Sequence, residues 1–193
     1  VAHSNKGNIL RCMGDLKGAI NEYQMAASLN PNYHETFNNL GNLFQEIKQF
    51  EKAIEHYDFA INIDDQYANA YMNKGNALLK IKDYKNALVV YVQALTLNPQ
   101  EKFLLGSYLH TKMLLCDWQG LDILYSQVLQ GLRNNQKVAE PFGFQGICTS
   151  EADLQKCAQI MADDHFPPLT TVINNEVVYD NPKIRIGYLC GEF

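Results

Sequence analysis

Six asparagines recur at a fixed interval. Asn5, Asn39 and Asn73 stand 34 apart, and so do Asn8, Asn42 and Asn76. A carboxamide both donates and accepts, so it can bond a peptide C=O and N–H together. Two such residues three apart share one face of a helix. Stacked at a constant period, they would form two rows able to hold an extended chain by its backbone, with little demand on its sequence. One such bond contributes only about 0.5–1.5 kcal/mol net, so affinity must come from the row. Asn at these columns also serves as plain polar surface or bonds neighbouring helices, and spacing alone leaves both readings open.

Other reactive side chains assemble less well. His3, His34, His56, His110 and His165 are scattered with no i, i+4 pair, which argues against a metal site. Asp163, Asp164 and His165 read as a helix terminus. Cys190 follows a strand-like stretch, where reactive groups often lie in α/β folds, yet no base stands nearby and it reads as a packed thiol. No glycine-rich phosphate cradle and no acid/base pair is present. No catalytic, cofactor-binding or metal residue is therefore expected in the chain as given.

The elements that must carry the asparagine rows follow from the same period. Gly7, Gly41 and Gly75 recur at it, as do Leu16, Phe50 and Tyr84. So do Ala19, Ala53 and Ala87, Tyr23, Tyr57 and Tyr91, and Ala26, Ala60 and Ala94. Pro31 and Pro99 close the first and third units, with Asp65 in the second. This pattern resembles the tetratricopeptide repeat (TPR), a helical hairpin that buries its apolar face only by stacking on neighbours. The glycines are expected to make room for the partner helix backbone, the alanines to permit close crossing, and the tyrosines to fill the gap between units. Prolines stop the second helices. In such a superhelix the first helices, which carry the asparagines, line the concave surface.

The fold expected is all-α: a right-handed TPR solenoid of three units, 1–33, 34–67 and 68–101. A degenerate hairpin over 102–135 follows, with Leu109, Leu121 and Val128 in the Gly and Ala columns and Tyr125 in the Tyr column. Trp118, in "CDW", is expected to pack at its turn. Residues 136–182 read as a small mixed cap. It begins with a loop, "AEPFGFQG", then a helix over about 150–165 capped by Ser150, with an apolar stripe of Leu154, Cys157, Ile160 and Met161. A short hairpin around Asn174 and Asn175 comes next. Alternation of Ile184, Ile186 and Tyr188 with Arg185 and Gly187 makes 183–193 a β-strand. It has no evident partner, and together with Val1 in place of Met it suggests a piece of a longer protein.

Composition sets broad limits. The 193 residues are 47% hydrophobic, which argues against general disorder. The net charge of −5 does not suggest nucleic-acid binding, and no apolar run reaches the ~20 residues that span a bilayer. Five scattered cysteines without CxxC pairs fit free thiols in a reducing, cytoplasmic setting.

Taken in order, the TPR array beginning "AHSNKGNIL", the CDW hairpin, the "PF" loop and "KIRIGYLCGEF" resemble the protein O-GlcNAc transferase family, including its Spindly-type members. The final phrase is similar to that family's "RVGYVSSDF", the first strand of its catalytic region, with "CGEF" departing from "SSDF". The resemblance implies a GT-B, Rossmann-like catalytic region beyond Phe193, UDP-GlcNAc as donor, and transfer to Ser or Thr of acceptor proteins. It also implies that Asn5, Asn39 and Asn73 contact the acceptor peptide, with Asn8, Asn42 and Asn76 secondary. The chain alone is expected to bind no cofactor and to be inactive, and self-association through the repeats is a further expectation. The competing class is a non-enzymatic TPR adaptor.

Overall fold

A computed structural model describes residues 2–166, and every regular element among them is a helix. Three hairpins come first: α1 (Ala2–Cys12) with α2 (Leu16–Leu29), α3 (His34–Glu46) with α4 (Phe50–Ile63), and α5 (Ala68–Lys80) with α6 (Tyr84–Leu97). A fourth pairs α7 (Leu104–Leu114) with α8 (Leu121–Arg133), and α9 (Pro141–Gln145) and α10 (Glu151–His165) follow. The terminal strand expected at 183–193, the hairpin at Asn174 and Asn175, and Cys190 lie outside the described residues.

The turns inside the hairpins share one device. Gly14, Lys48, Lys82 and Cys116, again 34 apart, all adopt positive φ, from 53° to 80°. This left-handed residue reverses the chain within three positions. Asp15 and Asp83 then cap α2 and α6, accepting from the backbone N–H of Gly18 at 2.9 Å and of Asn86 at 3.3 Å. At the other end, the N–H groups of Asn30, Asp64 and Asn98 bond to the carbonyls of Ala26, Ala60 and Ala94. Pro31 and Pro99 lie just beyond, where the helix has already ended.

The core is built from the repeating columns. Ala19, Ala53 and Ala87 and Tyr23, Tyr57 and Tyr91 are all wholly buried. Ala19 and Tyr23 of the first hairpin join Leu40, Leu43 and Phe44 of the second in one cluster, so each unit completes its neighbour's core. The glycines do something other than expected. A methyl group on Gly7, Gly41 or Gly75 would lie 2.7, 2.4 or 2.4 Å from the Cε1 of Tyr23, Tyr57 or Tyr91. Each glycine therefore makes room for the tyrosine ring of its own hairpin, not for the partner backbone. The reason is size: an aromatic side chain at the crossing needs the whole space that a Cβ would occupy.

The fourth hairpin is wedged. The Phe103 N–H donates to the Lys137 carbonyl at 2.6 Å, and the Gly106 N–H donates to that of Val138 at 2.7 Å. A Cβ on Gly106 would meet the Ala139 Cα at 2.5 Å, and one on Gly131 would meet a Val138 methyl at 2.7 Å. Residues 136–139 thus run between α7 and α8 at the two points where each helix lacks a side chain. With Leu109 and Val128 buried in the columns that held Gly and Ala, this pair does not cross as the first three do.

Two expectations about this region are corrected. Trp118 is 61% exposed and does not pack at its turn. A polar clamp holds that turn instead: Asp117 accepts from the Lys112 ammonium at 2.5 Å and from the Gln119 N–H at 3.1 Å. The "PF" loop contains a helix, α9, which opens on Pro141 and is anchored by the buried Phe144 stacked on Tyr125 at 5.9 Å. Proline suits a first helical turn because its missing N–H would have no partner there. Over 136–166 the regular elements of the cap are the helices α9 and α10, and its remainder to 182 lies outside the described residues. Ser150 caps α10 as expected, accepting from the Asp153 N–H at 3.2 Å, and the stripe of Cys157 and Ile160 is buried. Asp153 binds Arg133 at 2.9 Å, and Asp164 takes both Lys102 at 2.9 Å and Lys137 at 2.5 Å, which fastens α10 to the wedge. These two lysines hold the Asp164 carboxyl down at about 2.

Candidate functional site

The first helices α3, α5 and α7 touch one another directly, which puts them on the inner side of the stack. Their polar columns line that side. The two asparagine rows, alike in sequence, have different surroundings. Tyr23, Tyr57 and Tyr91 donate their hydroxyls to the Oδ1 of Asn8, Asn42 and Asn76 at 2.6, 2.9 and 2.6 Å. Burial pushes all three phenols up, so each remains a donor. The carboxamide oxygen of this row is therefore occupied, and its NH2 has no protein partner among the described residues.

Asn5, Asn39 and Asn73 form a less uniform row. Asn73 donates to the Oδ1 of Asn38 at 3.0 Å, a link between the third and second units. Asn38 is 5% exposed and does not show in the repeat pattern, because its counterparts Ser4 and Met72 make no column of one type. The side chains of Asn5 and Asn39 make no hydrogen bond among the described residues.

Two clefts open along this face. One, of about 490 Å³, is lined by Asn76, Ser107, His110, Leu114 and Phe142 among others. The second, of about 450 Å³, takes in Arg11, Asn42, Glu46, Lys48 and Phe50. Gln45 and Lys80 line both, so the clefts adjoin. Asn42 and Asn76 reach them; Asn5, Asn39 and Asn73 line neither. Both rows continue into the fourth hairpin with a changed residue type. Ser107 stands one full period after Asn73, and His110 one full period after Asn76. A search for asparagine misses them, whereas counting the period finds both. The His110 Nδ1 is buried without a hydrogen-bond partner, and burial lowers its pKa while Glu140 and the Gly143 backbone partly offset the drop.

The chemistry on offer is hydrogen bonding and charge. Among the described residues no group of three His, Cys, Asp or Glu side chains could hold a metal, and no helix is long and apolar enough to cross a membrane.

Models of the TPR repeat match residues 7–48 and 46–82, and a tetratricopeptide repeat model matches 68–101. Residues 7–101 are tetratricopeptide repeats. The matching models are those of the TPR itself, and none is of the glycosyltransferase family that the motifs resemble. No curated protein matches the chain. Among solved structures, the Arabidopsis OM64 TPR domain is 27% identical, with 58% of this chain and 93% of that one covered and a TM-score of 0.56. A crystal structure of MamA is 20% identical over 82% of this chain and 94% of that one, with a TM-score of 0.61. The first TPR of Spaghetti (RPAP3) bound to HSP90 peptide SRMEEVD is 21% identical over 60% and 91%, with a TM-score of 0.58. The last two likenesses are of fold alone. The TPR solenoid is common to all.

Proposed function

We propose that this chain is a protein-docking module whose inner face holds an extended segment of a partner protein by its backbone. The observation that carries this is the pair of adjoining clefts with carboxamide N–H groups of Asn42 and Asn76 left free inside them. Asn5 and Asn39 offer both their functions three residues earlier on the same helices as Asn8 and Asn42, and Asn73 keeps its oxygen. Support comes from the fold neighbour that holds a peptide, the RPAP3 TPR.

The finer reading is that the module serves a protein O-GlcNAc transferase-like enzyme. The acceptor protein lies in the groove, and a GT-B region transfers N-acetylglucosamine from UDP-GlcNAc to its Ser or Thr hydroxyls. The CDW hairpin and "KIRIGYLCGEF" support this by resemblance. The same reading puts the protein in the cytoplasm, in line with the unpaired thiols of Cys12, Cys116, Cys148 and Cys157. The alternative is a non-enzymatic TPR adaptor, favoured by the match of family models to the repeats alone. The test is to incubate the full-length gene product with radiolabelled UDP-GlcNAc and a cytosolic extract. Label on Ser and Thr supports the enzyme; its absence while acceptor capture persists leaves the adaptor. Asn39→Ala with Asn73→Ala should weaken capture and leave UDP-GlcNAc binding unchanged, and unchanged capture would remove these residues from the site.

A further inference from the structure

The two clefts differ in charge and in polarity, and that difference has a direction. The chain as a whole carries −5. The cleft at the second hairpin nevertheless gathers Arg11, Lys48 and Lys80 against the single carboxylate of Glu46. Arg11 already pairs with Glu46 at 2.7 Å. Lys48 and Lys80 are exposed and have no acidic partner among the described residues. Two uncompensated ammonium groups lining one cleft of an acidic protein call for an anionic occupant.

The adjoining cleft has the opposite character at its far end. Leu114 is 41% exposed and Phe142, carried by α9, is 84% exposed, and both line it. Glu140 stands at the same end and repels a carboxylate there. Between the ends lies the free amide of Asn76, suited to a peptide backbone. Leu114 itself follows Lys80 by one full period, so one column changes from cationic to apolar between the third and fourth hairpins.

We infer that the paired clefts form a two-part docking site for an extended acidic segment of a partner protein. Its carboxylate side chains lie against Lys48 and Lys80, and a bulky apolar side chain further along lies against Leu114 and Phe142. The inference rests on the groove-docking reading above and adds the chemistry and the polarity of the occupant. Charge complementarity selects the acidic segment and speeds its approach. An exposed aromatic beside a cleft supplies the anchor typical of interface energetics. The asparagine amides hold whatever backbone lies between.

The site is tested with the full chain by fluorescence anisotropy, using fluorescein-labelled extended twelve-residue peptides with two aspartates and one leucine, spaced two to six residues apart. At least one spacing should bind tenfold or more tightly than the same peptide with lysines for aspartates. Lys48→Glu with Lys80→Glu should cut that affinity at least tenfold. Phe142→Ala should cut it several-fold for the leucine peptide and leave a glycine analogue unaffected. All three side chains are exposed, so the variants should keep the wild-type unfolding midpoint. Equal binding of the lysine peptide, or indifference to the charge reversal, overturns the inference. If neutral peptides bind as well and Asn42→Ala with Asn76→Ala abolishes that binding, groove docking stands while the acidic specificity falls. Failure of every peptide to bind overturns the inference too, with acceptor capture from extract still deciding the broader reading.

Discussion

Replacing Gly41 with alanine isolates the interaction on which each repeat is built. The new Cβ would stand 2.4, 2.6 and 2.9 Å from Cε1, Cδ1 and Cζ of Tyr57, where carbon atoms normally approach no closer than about 3.5 Å. The ring cannot simply retreat. Tyr57 is wholly buried among Ala53, Leu40 and Leu43, and its hydroxyl is held by Asn42 at 2.9 Å. Overpacking of this kind costs about 1–3 kcal/mol. Alanine returns about 1 kcal/mol of helix propensity over glycine, so the expected net loss is about 0–2 kcal/mol. A double-mutant cycle separates the two effects. With Tyr57→Leu the ring is gone, and Gly41→Ala in that background should become neutral or stabilising by up to ~1 kcal/mol. The coupling should then be about 2 kcal/mol. Urea unfolding followed by circular dichroism at the helical band measures all four corners. If Gly41→Ala stabilises the protein with Tyr57 in place, or costs the same after Tyr57→Leu, the ring is not what the glycine accommodates.

Two further outcomes follow from the turns and the cap. Lys82 sits at φ 63°, which costs a side-chain-bearing residue about 1 kcal/mol, so Lys82→Gly should raise the unfolding midpoint modestly, whereas Gly14→Ala at φ 80° should lower it. Asp164, held at about 2 by Lys137 and Lys102, contributes stability that is fully present above its ordinary pKa of 3.8 and is lost as pH falls through about 2. The stability gap between wild type and Asp164→Asn, read from unfolding midpoints, should therefore be open at pH 6 and close by about pH 2; a gap constant across that range would exclude the ion pairs as its source.

What the sequence made legible and what it hid divide along a physical line. The period and the Ala and Tyr columns were readable because each unit makes the same packing contacts as the next and so repeats the same residue types. The Ser150 cap was readable because it depends on a residue within one turn. The glycine partner was misassigned because a pattern shows that space is needed without showing which group fills it. Trp118 was expected inside on size alone, yet Asp117 and Lys112 close that turn without it. Ser107 and His110 stand on the asparagine rows but escaped a search by residue type, although their register was there to be counted. The unlike surroundings of the two rows depend on which amide meets a tyrosine hydroxyl, and a shared spacing carries no trace of that. Residues 136–139 contain no repeat at all, and only Gly106 and Gly131 hinted that something passes close to α7 and α8.

That wedge sets an order of events during synthesis. The second and third hairpins can each close on the one before as soon as they leave the ribosome, since that partner is already made. The fourth cannot, because α7 and α8 are joined through backbone bonds to Lys137 and Val138, which emerge after both helices. A nascent chain stalled before Gln136 would carry three packed hairpins and a last pair without the segment that joins it. Docking of residues 136–139 is therefore the step that closes the last helical pair and covers its apolar lining.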